Sequence, residues 1–126
     1  MSRIDHIGIA TEDIEQASKF WKLIGMKPGD DEINLEQDVK IRMFYGNNEN
    51  GENTHSKVEL IEALSENSPI AKFISKRGEG IQQLAISVVD IDELIKNLIE
   101  KGVRMINKKS MEGAGGHKIA FVHPES

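Results

Sequence analysis

Apolar and polar positions repeat within this 126-residue chain. Residues 4–26, IDHIGIATEDIEQASKFWKLIGM, align without a gap with residues 81–103, IQQLAISVVDIDELIKNLIEKGV. At this shift of 77 positions Ile4 meets Ile81, Ile9 meets Ile86, Asp13 meets Asp90, Lys19 meets Lys96 and Gly25 meets Gly102. Each copy predicts a strand, a cap, a helix and a stop. Residues 3–10 form a short apolar run suited to a strand, and Asp13 with Gln16 stands where a capping box opens a helix, as do Asp90 and Glu93 in the second copy. Helically spaced apolar residues follow, predicting one buried stripe per helix: Ile14, Ala17, Phe20, Trp21 and Ile24, then Ile91, Leu94, Ile95, Leu98 and Ile99. Gly25 and Gly102 fall where left-handed caps would end the helices. Two copies are too few for a solenoid, so the pattern predicts two half-domains sharing one core.

Residues 27–38 are polar and turn-rich and predict a loop. In residues 39–45 Val39, Ile41 and Met43 share one face of a half-buried strand. Residues 47–53, NNENGEN, predict a turn to an antiparallel strand over about 57–63, where Val58 and Leu60 face one way and Glu59 and Ile61 the other. Ser68 followed by Pro69 starts a further helix, with Ile70, Phe73 and Ile74 on its buried side. After the second copy, residues 103–106 and 118–122 predict strands around a Gly-rich loop at 107–117. The expected organisation is one domain over 1–126: module one at about 3–64, a linker helix at 68–78, and module two at about 81–126. Module two lacks an equivalent of the Glu59 strand. A strand with a Glu at about position 136, beyond Ser126, is expected to complete it.

Composition narrows the function. There is no cysteine, which excludes disulfides and thiol chemistry and fits a reducing, cytoplasmic setting. No signal-like or bilayer-length apolar run is present, so a soluble protein is expected. A net charge of −5 argues against nucleic-acid or membrane surfaces as partners, while Lys72, Lys76 and Arg77, or Lys108, Lys109 and Lys118, could receive an anionic small molecule. As a group, Lys72, Lys76 and Arg77 read first as a solvated helix face.

Three polar residues fall in mid-strand positions: His6, its repeat mate Gln83, and Glu59. Two modules related by a pseudo-twofold would bring such groups together, and their N and O donors suit a divalent transition metal. The alternative is a hydrogen-bonded core histidine beside an exposed strand glutamine; the shared register is what favours the metal site. His55 beside a turn and His117 after the Gly-rich loop read as surface residues, and His123 as a pocket wall. Neither a nucleophile elbow nor a dinucleotide fingerprint is present, and the GAGG at 113–116 is not a phosphate loop.

With the repeat, His6 and Glu59 in place, the chain resembles the vicinal oxygen chelate (glyoxalase/bleomycin resistance) superfamily. Within it the chain is similar to the methylmalonyl-CoA epimerases. DHIGIA at 5–10 carries the superfamily resemblance; SPIAKFISKRGEGI at 68–81, GVR at 102–104 and GAGGHKIAFVHP at 113–124 carry that to the epimerases. The resemblance implies an α+β fold of two tandem βαβββ modules forming an incomplete barrel around a divalent ion (Co, Ni, Zn or Mn), with its last strand missing here. It implies His6, Glu59 and Gln83 as metal ligands, Gln83 standing where the epimerase pattern has His. The resemblance also implies that the candidate acid/base is the fourth metal-ligating carboxylate, the Glu expected beyond Ser126, so the catalytic residue is unknown within this chain. The implied activity is a metal-dependent isomerase moving a proton next to a thioester carbonyl, in a homodimer acting on a small-molecule thioester; lactoylglutathione lyase (glyoxalase I) is the nearest alternative. A non-catalytic small-molecule-binding protein is the expectation from a different class.

Overall fold

The structure is a computed structural model that describes residues 2–125. Contacts divide it into two compact units, Arg3–Ser87 and, chiefly, residues 88–125. The first holds strand β1 (Ser2–Ala10), helix α1 (Ile14–Leu23), strands β2 (Lys27–Pro28), β3 (Glu32–Asn34), β4 (Val39–Asn47) and β5 (Asn53–Ala63), helix α2 (Pro69–Arg77) and nearly all of strand β6 (Gly80–Val88). The strands form one open sheet in the order β2-β4-β5-β1-β6, with β3 pairing β4 as well. β1 and β5 run parallel, with Gly8 beside Glu59 and Ala10 beside Ile61, whereas β4 and β5 form an antiparallel hairpin with Met43 opposite Glu59. The mixed α+β class and open sheet agree with the expected fold.

The predicted helix signals hold. Asp13 Oδ1 accepts the Gln16 amide N–H at 3.2 Å, and Asp90 Oδ1 accepts that of Glu93 at 3.1 Å, so both copies of the repeat cap their helices alike. Gly25 and Gly102 carry φ of +97° and +88° at the two helix ends, where a side chain would be strained. Ser68 caps α2 through the Ile70 N–H. Side chains from elsewhere pin the turn between β1 and α1: Glu62 Oε1 accepts the Ile14 N–H at 2.9 Å, and Glu79 Oε2 accepts from the Thr11 hydroxyl at 2.8 Å.

The core of this unit is Ile14, Phe44 and Leu60, with Ile9, Ala17, Trp21, Met26 and Val58 packed on it. It lies on the face of β4 opposite Val39, Ile41 and Met43, so β4 is buried on both sides rather than half-buried. The α1 stripe is narrower than predicted. Phe20 and Ile24 are exposed, and the wholly buried Ser18 takes a place on the core side, its hydroxyl donating to the Ile14 carbonyl at 2.6 Å. At 100° per residue Phe20 lies about 120° round the helix from Ile14, whereas Ala17, Ser18 and Trp21 all lie within about 60° of it. The segment predicted as a loop at 27–38 contains β2 and β3, because the long β4 offers successive stretches of one edge to each.

The second unit contains helix α3 (Ile91–Glu100) and a ribbon of β7 (Met111–Glu112) with β8 (Lys118–Ile119). Ile95 is buried, but Ile99 is exposed, a further narrowing of a predicted stripe. The strand predicted at 103–106 is reduced to a single bridge from Met105 to Val122, and that at 118–122 to β8 and this bridge. The Gly-rich loop contributes β7 and a 3-10 turn at Ala114–Gly116. Among the described residues, no helix is long and apolar enough to cross a membrane.

Candidate functional site

The three polar strand residues singled out in the sequence lie on adjacent strands, β6, β1 and β5, of one sheet. Alternation puts His6 and Gly8 of β1 on the Glu59 face of β5, because Gly8 stands beside Glu59. His6 Nε2 is 3.5 Å from Glu59 Oε2, and Gln83 Nε2 is 3.4 Å from Glu59 Oε1. Gln83 reaches Glu59 by crossing β1 at Gly8, where a Cβ would lie 3.0 Å from Gln83 Cδ and closer still to Cγ.

The electrostatics of this cluster are unusual. Glu59 is only 5% exposed, and burial pushes its carboxyl up, with His6 opposing the shift. His6 Nδ1 is 2.8 Å from Asp5 Oδ2, whereas Nε2 is buried with no hydrogen-bond partner among the described residues. Asp5 Oδ1 is 3.1 Å from Lys57 Nζ and 3.6 Å from Arg3. Burial raises the Asp5 carboxyl, but the hydrogen bonds from His6 and Lys57 outweigh it and hold the group below its ordinary value. A carboxylate at Asp5 can accept a hydrogen bond from Nδ1–H, and a neutral ring so bonded turns the lone pair of Nε2 towards a second acceptor, the Glu59 carboxylate. Two such acceptors at 3.5 Å repel unless a proton or a cation lies between them.

Among the described residues, no three His, Cys, Asp or Glu side chains converge as a metal cage; here the third donor is an amide. The fourth carboxylate expected beyond Ser126 lies outside the described residues. Reading the sequence for ligands missed Asp5, although it directly precedes His6 in the DHIGIA run. Its role depends on a rotamer that spacing does not reveal. His55 and His117 are exposed, as expected, and so are Lys72, Lys76 and Arg77 on α2. His123 accepts the Glu125 N–H through Nδ1 at 3.1 Å, a local turn contact. Two open surface hollows, one of about 420 Å³ along α3 and one of about 350 Å³ along α2, are lined by none of His6, Glu59 or Gln83.

The chain thus combines a mixed α+β fold and an open sheet with an internal strand–helix repeat, and a His, a Glu and a Gln meet on one face of that sheet. The chain belongs to the Glyoxalase/Bleomycin resistance protein/Dioxygenase superfamily, whose family model matches residues 5–121. It is 34% identical over 125 residues to the uncharacterized protein YqjC of Bacillus subtilis, covering 98% of this chain and 84% of that one. Its fold is similar to that of a hypothetical protein from Bacillus halodurans, with a TM-score of 0.90 and 44% identity over 99% of this chain and 86% of the other. It is also similar to a Streptomyces coelicolor methylmalonyl-CoA epimerase variant in complex with 2-nitronate-propionyl-CoA, with a TM-score of 0.87 and 34% identity over 98% of this chain and 85% of that one.

Proposed function

We propose that this protein is a metal-dependent methylmalonyl-CoA epimerase, with His6, Glu59 and Gln83 holding a divalent ion. The observation that carries the reading is the buried pair of His6 Nε2 and Glu59 Oε2, 3.5 Å apart, with no hydrogen-bond partner on Nε2 among the described residues. The similarity to an epimerase along nearly the whole chain supports the substrate class.

The residues suit such an ion. The lone pair on Nε2 is aimed by Asp5, the Glu59 carboxylate supplies negative charge in a dry setting, and the Gln83 amide can present its oxygen by a half-turn about its last bond. These donors accept Co, Ni, Zn or Mn. When bound, the ion would supply Lewis-acid stabilisation of negative charge developing on the thioester oxygen, which makes the C2 proton more acidic. The chain's own part is to orient the donors and to keep water from Glu59, so that charge developing nearby is weakly screened.

Incubating the protein with methylmalonyl-CoA and each metal in deuterated water tests this. Exchange at C2 is the expected result. Loss of exchange with gain of activity on a glutathione hemithioacetal would move the reading to lactoylglutathione lyase. One observation favours a third reading, a non-catalytic binding protein: the third donor is an amide rather than an imidazole. A purified protein with neither bound metal nor exchange on metal addition would support it.

We also propose a homodimer. The open sheet has exposed edges, and α1 presents Phe20, Leu23 and Ile24 to solvent. Sedimentation at micromolar concentration showing only the 14.1 kDa species would refute this.

A further inference from the structure

We propose that Asp5 is a positioning residue for the metal site: its carboxylate holds the His6 imidazole in the Nδ1–H tautomer and so commits the buried Nε2 to act as a donor atom. The inference rests on the metal reading above but concerns a residue outside the ligand set.

Three observations carry it. Asp5 Oδ2 is 2.8 Å from His6 Nδ1, a short contact between neighbours in one strand. The other oxygen, Oδ1, is 3.1 Å from Lys57 Nζ and 3.6 Å from Arg3, so among the described residues the carboxylate is held at both ends, by two cations on one oxygen and by His6 on the other. His6 Nε2 is buried without a hydrogen-bond partner, although Glu59 Oε2 lies 3.5 Å away. In the neutral ring, a proton on Nε2 would leave Nδ1 and Asp5 as two acceptors at 2.8 Å, a far costlier arrangement than Nε2 beside Glu59 at 3.5 Å. In that ring the Asp5 contact therefore selects the Nδ1–H tautomer. A carboxylate behind a ligating imidazole fixes the ring and raises its basicity, and removing it lowers metal affinity about 10–100-fold. Lys57 belongs to the same device, since β5 also carries Glu59.

The test reads the tautomer and the metal separately. In protein labelled with 15N at its four histidines, His6, assigned by its absence in His6→Asn, should show a protonated Nδ1 and an unprotonated Nε2 without any metal. Asp5→Asn is nearly isosteric, but its amide can either donate to or accept from Nδ1, so His6 should shift to a mixture of tautomers. Co2+ affinity, followed by visible absorption, should fall about 10–100-fold. Asp5→Ala should behave likewise, and Lys76→Ala, on the exposed side of α2, should leave both readouts unchanged. An unaltered tautomer in folded Asp5→Asn would overturn the proposal. So would loss of Co2+ affinity without a tautomer change, since Asp5 would then act through charge alone. If the wild-type protein binds no Co2+, the metal reading fails while the tautomer readout still decides the role of Asp5.

Discussion

The side chain of Gln83 on β6 lies across Gly8 on β1, so close that a Cβ there would be 3.0 Å from Gln83 Cδ and 3.1 Å from Nε2. The bare backbone at Gly8 is what allows a residue two strands away from Glu59 to come within 3.4 Å of it. Gly8→Ala must displace Gln83, and overpacking of this kind costs about 1–3 kcal/mol. Thermal unfolding should register that loss. Gln83→Ala, which removes the obstacle, should restore stability to the Gly8→Ala background, and a double-mutant cycle on Tm checks the coupling.

Glu59 sets stability against function. Its folded-state pKa is raised by burial, so the folded protein binds a proton more readily than the unfolded chain. Its contribution to stability is therefore fully present below the unfolded value of 4.5 and is lost as the pH rises through the higher folded value. Glu59→Gln keeps the shape, removes the charge and can donate to His6 Nε2. At neutral pH it should raise the stability of the metal-free protein by on the order of 1 kcal/mol, about 3–5 °C in Tm. It should also weaken metal binding and abolish exchange, which calorimetry and the deuterium assay would separate.

Arg42 responds to pH with the opposite sign. Its guanidinium grips Asp31 through two bonds of 2.6 and 2.8 Å, reaches Glu15 at 2.6 Å and Ser18 at 3.0 Å, and so ties β4 to α1 and to the segment before β3. The hydrogen bonds from Arg42 hold Asp31 and Glu15 below their ordinary values of 3.8 and 4.5. Their contribution is present above those unfolded values and is lost as the pH falls through the lower folded ones. Acid titration of Tm should therefore show a decline beginning near these values, and Arg42→Met should flatten it. At neutral pH that variant should lose about 1–2 kcal/mol, because the carboxylates left behind reach water while Ser18 keeps its bond to Ile14.

Leu60 is fully buried between Ile14 and Phe44 and points away from Glu59, its neighbour in β5. Leu60→Ala should cost about 2–5 kcal/mol without directly altering the proposed metal site. Urea unfolding should show the loss, and metal affinity of the folded fraction should stay close to wild type.

Local chemistry was legible before any fold was known. An Asp whose side chain accepts the backbone N–H three residues on, and a glycine at each helix end, act within one turn of chain, which is why both copies of the repeat cap and stop as read. The alternation in β5 likewise placed Leu60 and Glu59 on opposite faces, because strand geometry depends only on parity. Period alone could not decide which parts of a stripe find a partner. Phe20 and Ile24 fit the helical spacing of α1 and are exposed, while the polar Ser18 is buried because Arg42 on β4 waits beside it. The short strands β2 and β3 also escaped, since they exist by borrowing the edge of a distant, longer strand. For the site, the chain pattern identified His6, Gln83 and Glu59 as polar residues in strands. Strand order and register, with Gly8 between Gln83 and Glu59, decided that they meet; the fixing of His6 by Asp5 depended on a side-chain rotamer. Those relations join residues up to 75 positions apart, and only packing of the whole sheet can set them.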